Sequence, residues 1–202
     1  MKIYEKGFFK RNKKVLLVSF LIFLIFSVGG AIYGFLSIGD GYGVLSEGMF
    51  NASGNITRTS TFNAESFSGT INIFTHNLLA DSIMILGGIF FSVISVLIAI
   101  FNALVIGVPF GGDLTFFSLS VLPHGIIEYS ATAVSLAAAF SITKLEIKMV
   151  KNRSFKNTLK EHKTELKDIL VMIIIVVVLL FIAAIIEANI TPLITEGYYF
   201  GF

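Results

Sequence analysis

His124 and Glu128, an imidazole and a carboxylate able to move protons or hold a metal, stand four residues apart in Pro123-His124-Gly125-Ile126-Ile127-Glu128. That spacing puts both side chains on one face of a helix. The surrounding sequence is apolar enough to lie in a membrane, where an ionisable side chain costs about 2.5 kcal/mol or more unless it meets a partner or a water-filled cavity. Such residues are functional candidates by default. His76, Asn77, Asn102 and Glu187 are further polar side chains set in apolar runs.

These residues support three kinds of chemistry. A hydrogen-bonded network of His76, Asn77, Asn102, His124, Glu128 and Glu187 would fix helix packing, and this structural reading is favoured over catalysis. A metal site of His76, His124, Glu128 and Glu187 would suit Zn²⁺, and with water in an open position would be hydrolytic. The HExxH pattern of many zinc hydrolases is absent, however. Transport of a small solute or ion is the third reading, since broken helices with ionisable residues at membrane depth build transporter sites. Five spans without an internal repeat speak against it. Asp81 follows Asn77 by four residues and would share its face, or else reach water near the inner end of a tilted span. Zero cysteines exclude disulfides and thiolate chemistry. Neither a Ser-His-Asp set, nor a phosphate-binding glycine loop, nor a nucleic-acid signature emerges.

The elements that must position these residues follow from hydropathy. Of 202 residues, 55% are hydrophobic and only 14% charged, against about 25% charged in a soluble domain. Runs of about 20 apolar residues make this a polytopic all-α membrane protein. Residues 15–38 form a first span, whose Gly30-Ala31-Ile32-Tyr33-Gly34 offers a small-xxx-small face to a neighbour. Residues 39–68 form an external loop containing the sequons at Asn51 and Asn55. From Gly69 to Val108 the chain is too long for one crossing: about 60 Å at helical rise, roughly twice the hydrocarbon thickness. The glycine pair Gly87-Gly88 divides it into spans at 69–86 and 89–108.

A short segment, Leu114 to Leu122, precedes Pro123 and Gly125, which are expected to break the fourth span; its main helix covers 124–143. A charged cytoplasmic connector, 144–167, is either solvated or an amphipathic helix on an anionic leaflet. It leads to a fifth span at 169–189 and an external tail, 191–202. Six of fifteen Lys and Arg lie in residues 1–14, and eight between Lys144 and Lys167. The positive-inside rule puts both clusters in the cytoplasm, so five spans carry the N-terminus inside and the C-terminus outside. The polar residues then share the outer half of the bilayer.

The chain resembles the stage II sporulation protein M family of integral membrane proteins. The resemblance is carried by Phe74-Thr75-His76-Asn77-Leu78, Phe101-Asn102-Ala103-Leu104-Val105-Ile106-Gly107, Pro123-His124-Gly125-Ile126-Ile127-Glu128, and Ile186-Glu187-Ala188-Asn189-Ile190-Thr191-Pro192. In sporulating bacteria, members of this family belong to a complex that remodels septal peptidoglycan with a hydrolase supplied by other subunits. The resemblance therefore implies a scaffold or complex subunit, with the lipid bilayer and membrane proteins, or a second copy, as partners and no nucleic acid. Nothing in the sequence places it in sporulation itself.

Overall fold

A computed structural model describes residues 5–37, 67–112 and 114–194, and these residues form helices and turns without strands. The helices are α1 (Phe8–Ser37), α2 (Phe67–Leu86), α3 (Val93–Gly112), α4 (Leu114–Ser120), α5 (Leu122–Asn152), α6 (Phe155–Glu161) and α7 (Lys163–Asn189). Four helical stretches, Phe8–Ser37, Phe67–Phe90, Leu122–Asn152 and Lys163–Ile194, are long and apolar enough to cross a membrane, while Val93–Val108 is a shorter apolar helix. The protein is a polytopic helical membrane protein. Most of the expected external loop, with both sequons, and the tail beyond Ile194 lie outside the described residues.

Lipid is as apolar as leucine, so helices in a membrane associate by close packing and polar contacts rather than by the hydrophobic effect. The seam between α1 and α3 is made by glycines from both sides. A Cβ on Gly30 would sit 2.9 Å from the Leu104 carbonyl oxygen, and one on Gly34 would overlap that of Val108. Gly107 and Gly111 reciprocate against the carbonyls of Ser27 and Ala31. Sequence numbers rise together along both helices, so α1 and α3 run parallel. The small-xxx-small face expected from the sequence supplies the α1 half of this seam, in Gly30 and Gly34.

α5 occupies the centre. Ala131, Ala137, Ala138 and Ala139 are fully buried in it, because small side chains let neighbouring helices approach its backbone. Its Ala139 also explains Gly88, where a Cβ would come within 2.6 Å of the Ala139 carbonyl oxygen. The expected break at Gly87-Gly88 is present as a 3-10 turn over Gly87–Phe90, but the reversal itself is made by Phe91 and Ser92, with φ of 52° and 56°. Left-handed backbone costs these residues roughly 1–2 kcal/mol each. Thr143 on α5 donates to the Gly88 carbonyl at 2.7 Å and accepts from Ser92 Oγ at 2.6 Å, which holds the reversal.

The fourth span is broken into α4 and α5, and the discontinuity falls at Val121 (φ −109°, ψ −43°) rather than at Pro123 or Gly125. Pro123 sits in the first turn of α5, where a missing N–H removes no helical bond. Gly125 lies inside the helix and bonds back to the Val121 carbonyl at 2.8 Å.

The stretch expected to connect the last two spans, 144–167, is largely helical: α5 runs on to Asn152, and α7 already begins at Lys163. Ion pairs across this hairpin satisfy its charges and let helix continue beyond the apolar run. Lys148 Nζ meets Glu165 Oε1 at 2.5 Å, with His162 Nδ1 3.4 Å from the same oxygen, so His162 is a partner in this cluster and not merely solvated. Burial acts to raise the Glu165 pKa, but the hydrogen bond and charge of Lys148 hold it below 4.5. Glu5 is likewise held below 4.5, chiefly by its hydrogen bond to Lys167. Arg11 grips Asp168 through two N–H groups at 2.9 and 2.7 Å, and Asn12 adds a third bond at 2.8 Å. The start of α1 is thereby tied to the start of α7.

Candidate functional site

The opposite end of the bundle is built differently. Asn77 and Asp81 stand one turn apart on α2, with His76 beside them and the small Ala80 between. On α5, His124, Glu128 and Thr132 recur every four residues along one face, with Tyr129 adjacent. Together with Asn102 of α3 and Leu180 of α7, the residues His76, Asn77, Asp81, Glu128, Tyr129 and Thr132 line a cavity of about 260 Å³. At about 30 Å³ per water, it has room for several waters or a hydrated ion. Among the described residues, no Lys or Arg lines it.

His124 stands beside this cavity and is 8% exposed. Its Nδ1 lies 3.2 Å from Thr191 Oγ1, and that hydroxyl lies 3.3 Å from the Ile186 carbonyl oxygen. When the Thr191 hydroxyl donates to this carbonyl, its oxygen accepts a hydrogen bond from His124 Nδ1–H. The Nε2 lone pair is left facing Glu187, whose Oε2 is 3.9 Å away. One donor atom from each of His124, Glu128 and Glu187 lies within 4.8 Å of the other two. Donor atoms around a tetrahedral zinc, with bonds near 2.1 Å, are about 3.4 Å apart. Side-chain rotations of about an ångström would therefore close the set around an ion.

Of the sequence-derived residues, His76, Asn77, Asn102 and Glu128 line the cavity, whereas His124 and Glu187 meet Glu128 at its side. His76 is exposed and lies outside the three-residue donor group, which departs from the four-ligand set read from sequence. Asp81 does not reach water at a helix end: it is 3% exposed, and its Oδ2 has no hydrogen-bond partner. Thr191, expected in an external tail, begins a further helical turn over 191–194 and packs on His124. Tyr129 and Thr132 were missed altogether. Only Thr132 carried a signal, by continuing the every-fourth register from His124 and Glu128.

The two segments most specific in the family resemblance, 123–128 and 186–192, meet here through the His124–Thr191 and His124–Glu187 contacts. A family model described as stage II sporulation protein M matches residues 14–192. The chain belongs to the stage II sporulation protein M family. It is also similar to an uncharacterized protein of Methanocaldococcus jannaschii, 32% identical over 180 residues that cover 86% of this chain and 93% of that one. No solved structure matches it. The family match spans all five apolar helices and both halves of the site, so the described architecture coincides with the region that defines the family.

Proposed function

We propose that this member of the family is a structural subunit of a larger membrane complex, organised around a polar site in the outer half of the bilayer. The supporting observation is that polar groups at the cavity end join helices to one another. His124 of α5 reaches Thr191 and Glu187 beyond and on α7, and Asn189 of α7 donates to Thr70 of α2 at 3.3 Å. Hydrogen bonds of this kind are modest singly, about 0.6 kcal/mol, yet a connected set specifies one arrangement of helices. Both basic clusters belong to the opposite end, which supports a cytoplasmic N-terminus and an outward-facing site.

The test compares assembly with flux. Membranes carrying the tagged chain at native abundance are solubilised gently and run under native conditions beside the purified chain, and proteoliposomes are assayed for proton, potassium and zinc movement. A subunit runs as a larger assembly and adds no flux to protein-free liposomes. Migration equal to the purified chain, together with a flux abolished by Glu128→Gln, would overturn this reading in favour of transport. A zinc-dependent hydrolytic activity of the purified chain would favour the intramembrane hydrolase instead.

A further inference from the structure

We propose that His124, Glu128 and Glu187 bind one divalent transition-metal cation, of the zinc type, at the side of the cavity. Their donor atoms already lie within 4.8 Å of one another, and they come from two helices, α5 and α7, so a bound ion would bridge the pair. One imidazole with two carboxylates is a borderline donor set that suits zinc and its neighbours, with a fourth position open toward the cavity.

Three further observations separate this group from a chance cluster of acids. The first is the outer hydrogen bond on His124: with Thr191 Oγ1 accepting from Nδ1–H, Nε2 is left as the coordinating atom, the arrangement that orients histidine ligands in metal sites. The second is charge. Neither a Lys nor an Arg lines the cavity among the described residues, so Glu128 has no cationic side chain beside it there, and the group it forms with Glu187 and a neutral His124 leaves negative charge for a cation to balance. The third is Asp81, which is 3% exposed, lines the same cavity as Glu128, and has a carboxylate oxygen without a hydrogen-bond partner. The hydroxyls of Thr132 and Ser135 reach this carboxylate, and its remaining oxygen adds a buried acceptor to the wall that Glu128 shares.

This inference rests on the polar site of the proposed function, but the two fail separately. A chain that assembles without binding metal would remove only the metal site. One that binds metal yet runs alone and conducts would remove only the subunit reading.

The experiment uses the full chain in detergent, purified through a tag without histidine and titrated with Zn²⁺ against a competing chelator. About one equivalent should bind, and X-ray absorption of the zinc-loaded wild type should report a single imidazole among oxygen donors. His124→Ala and Glu187→Gln should lose that equivalent, while His76→Ala should keep it. Thr191→Val should weaken binding about 10- to 100-fold, an effect that a purely structural role for Thr191 would not produce. The site is overturned by the absence of stoichiometric zinc, by binding indifferent to both His124→Ala and Glu187→Gln, or by two or more imidazoles in the wild-type spectrum. The wild-type spectrum decides the matter even where a variant fails to fold.

Discussion

Three carboxylates at one end of the helix bundle and three at the other are treated in opposite ways. At the end where α1 and α7 begin, Asp168 faces Arg11, Glu165 faces Lys148, and Glu5 faces Lys167. At the cavity end, Asp81, Glu128 and Glu187 lie near a single buried histidine. Paired acids close a structure, because each charge already has its counterion. Acids gathered around an imidazole and a cavity remain open to a cation from outside. The difference separates acids neutralised by a lysine or arginine from acids whose charge is left for a cation to balance.

The comparison is broken most directly at Asp168. Replacing it by alanine removes three hydrogen bonds to a charged group from Arg11 and Asn12 and should cost about 3 kcal/mol, read as a lower thermal midpoint in detergent. Next in size is the glycine seam, which separates packing from charge altogether. Gly107→Leu would drive a side chain into the Ser27 backbone and should cost about 2 kcal/mol by overpacking. Gly29→Ala is the control, since a Cβ there meets nothing within 4 Å and the seam should be undisturbed. Denaturation in mixed SDS micelles measures both.

A change of opposite sign is expected at the cavity end. In metal-free buffer, the double change Glu128→Gln and Glu187→Gln relieves two incompletely compensated carboxylates and should raise stability by about 1 kcal/mol. A loss of stability as large as that of Asp168→Ala would erase the distinction between the two ends. The smallest effect is the pH dependence of the paired end. Glu165 and Glu5 have folded-state pKa values depressed below 4.5 by their lysine partners. Their contribution is therefore complete above about pH 4.5 and is lost as pH falls through the folded values. Hydrogen exchange over α6 and the start of α7 should accelerate only on the acid side of that limit, and Lys148→Ala should flatten the dependence.

Much of this architecture was legible in the sequence because hydropathy reports directly on what can face lipid. Five apolar segments, a divided stretch from Gly69 to Val108 and a broken fourth span all follow from run length and from glycine and proline chemistry. The helix ends were not legible in the same way: α5 and α7 extend past their apolar runs where ion pairs such as Lys148–Glu165 join them, and hydropathy does not register such pairs. The site was half legible. The register of His124 and Glu128 is local and visible, whereas the burial of Asp81 depends on α5 covering it. Thr191 becomes a partner of His124 only because α7 runs back alongside α5, 67 residues later in the chain.

The reversal between α2 and α3 also sets an order of events in biosynthesis. Its left-handed residues are braced by Thr143, which lies 51 positions after Ser92 and 55 after Gly88. When the last residue of α3 has been added, the group that secures the hairpin has not yet been made. Until α5 is in place the hairpin lacks both of these bonds, so the central helix also completes the turn that preceded it.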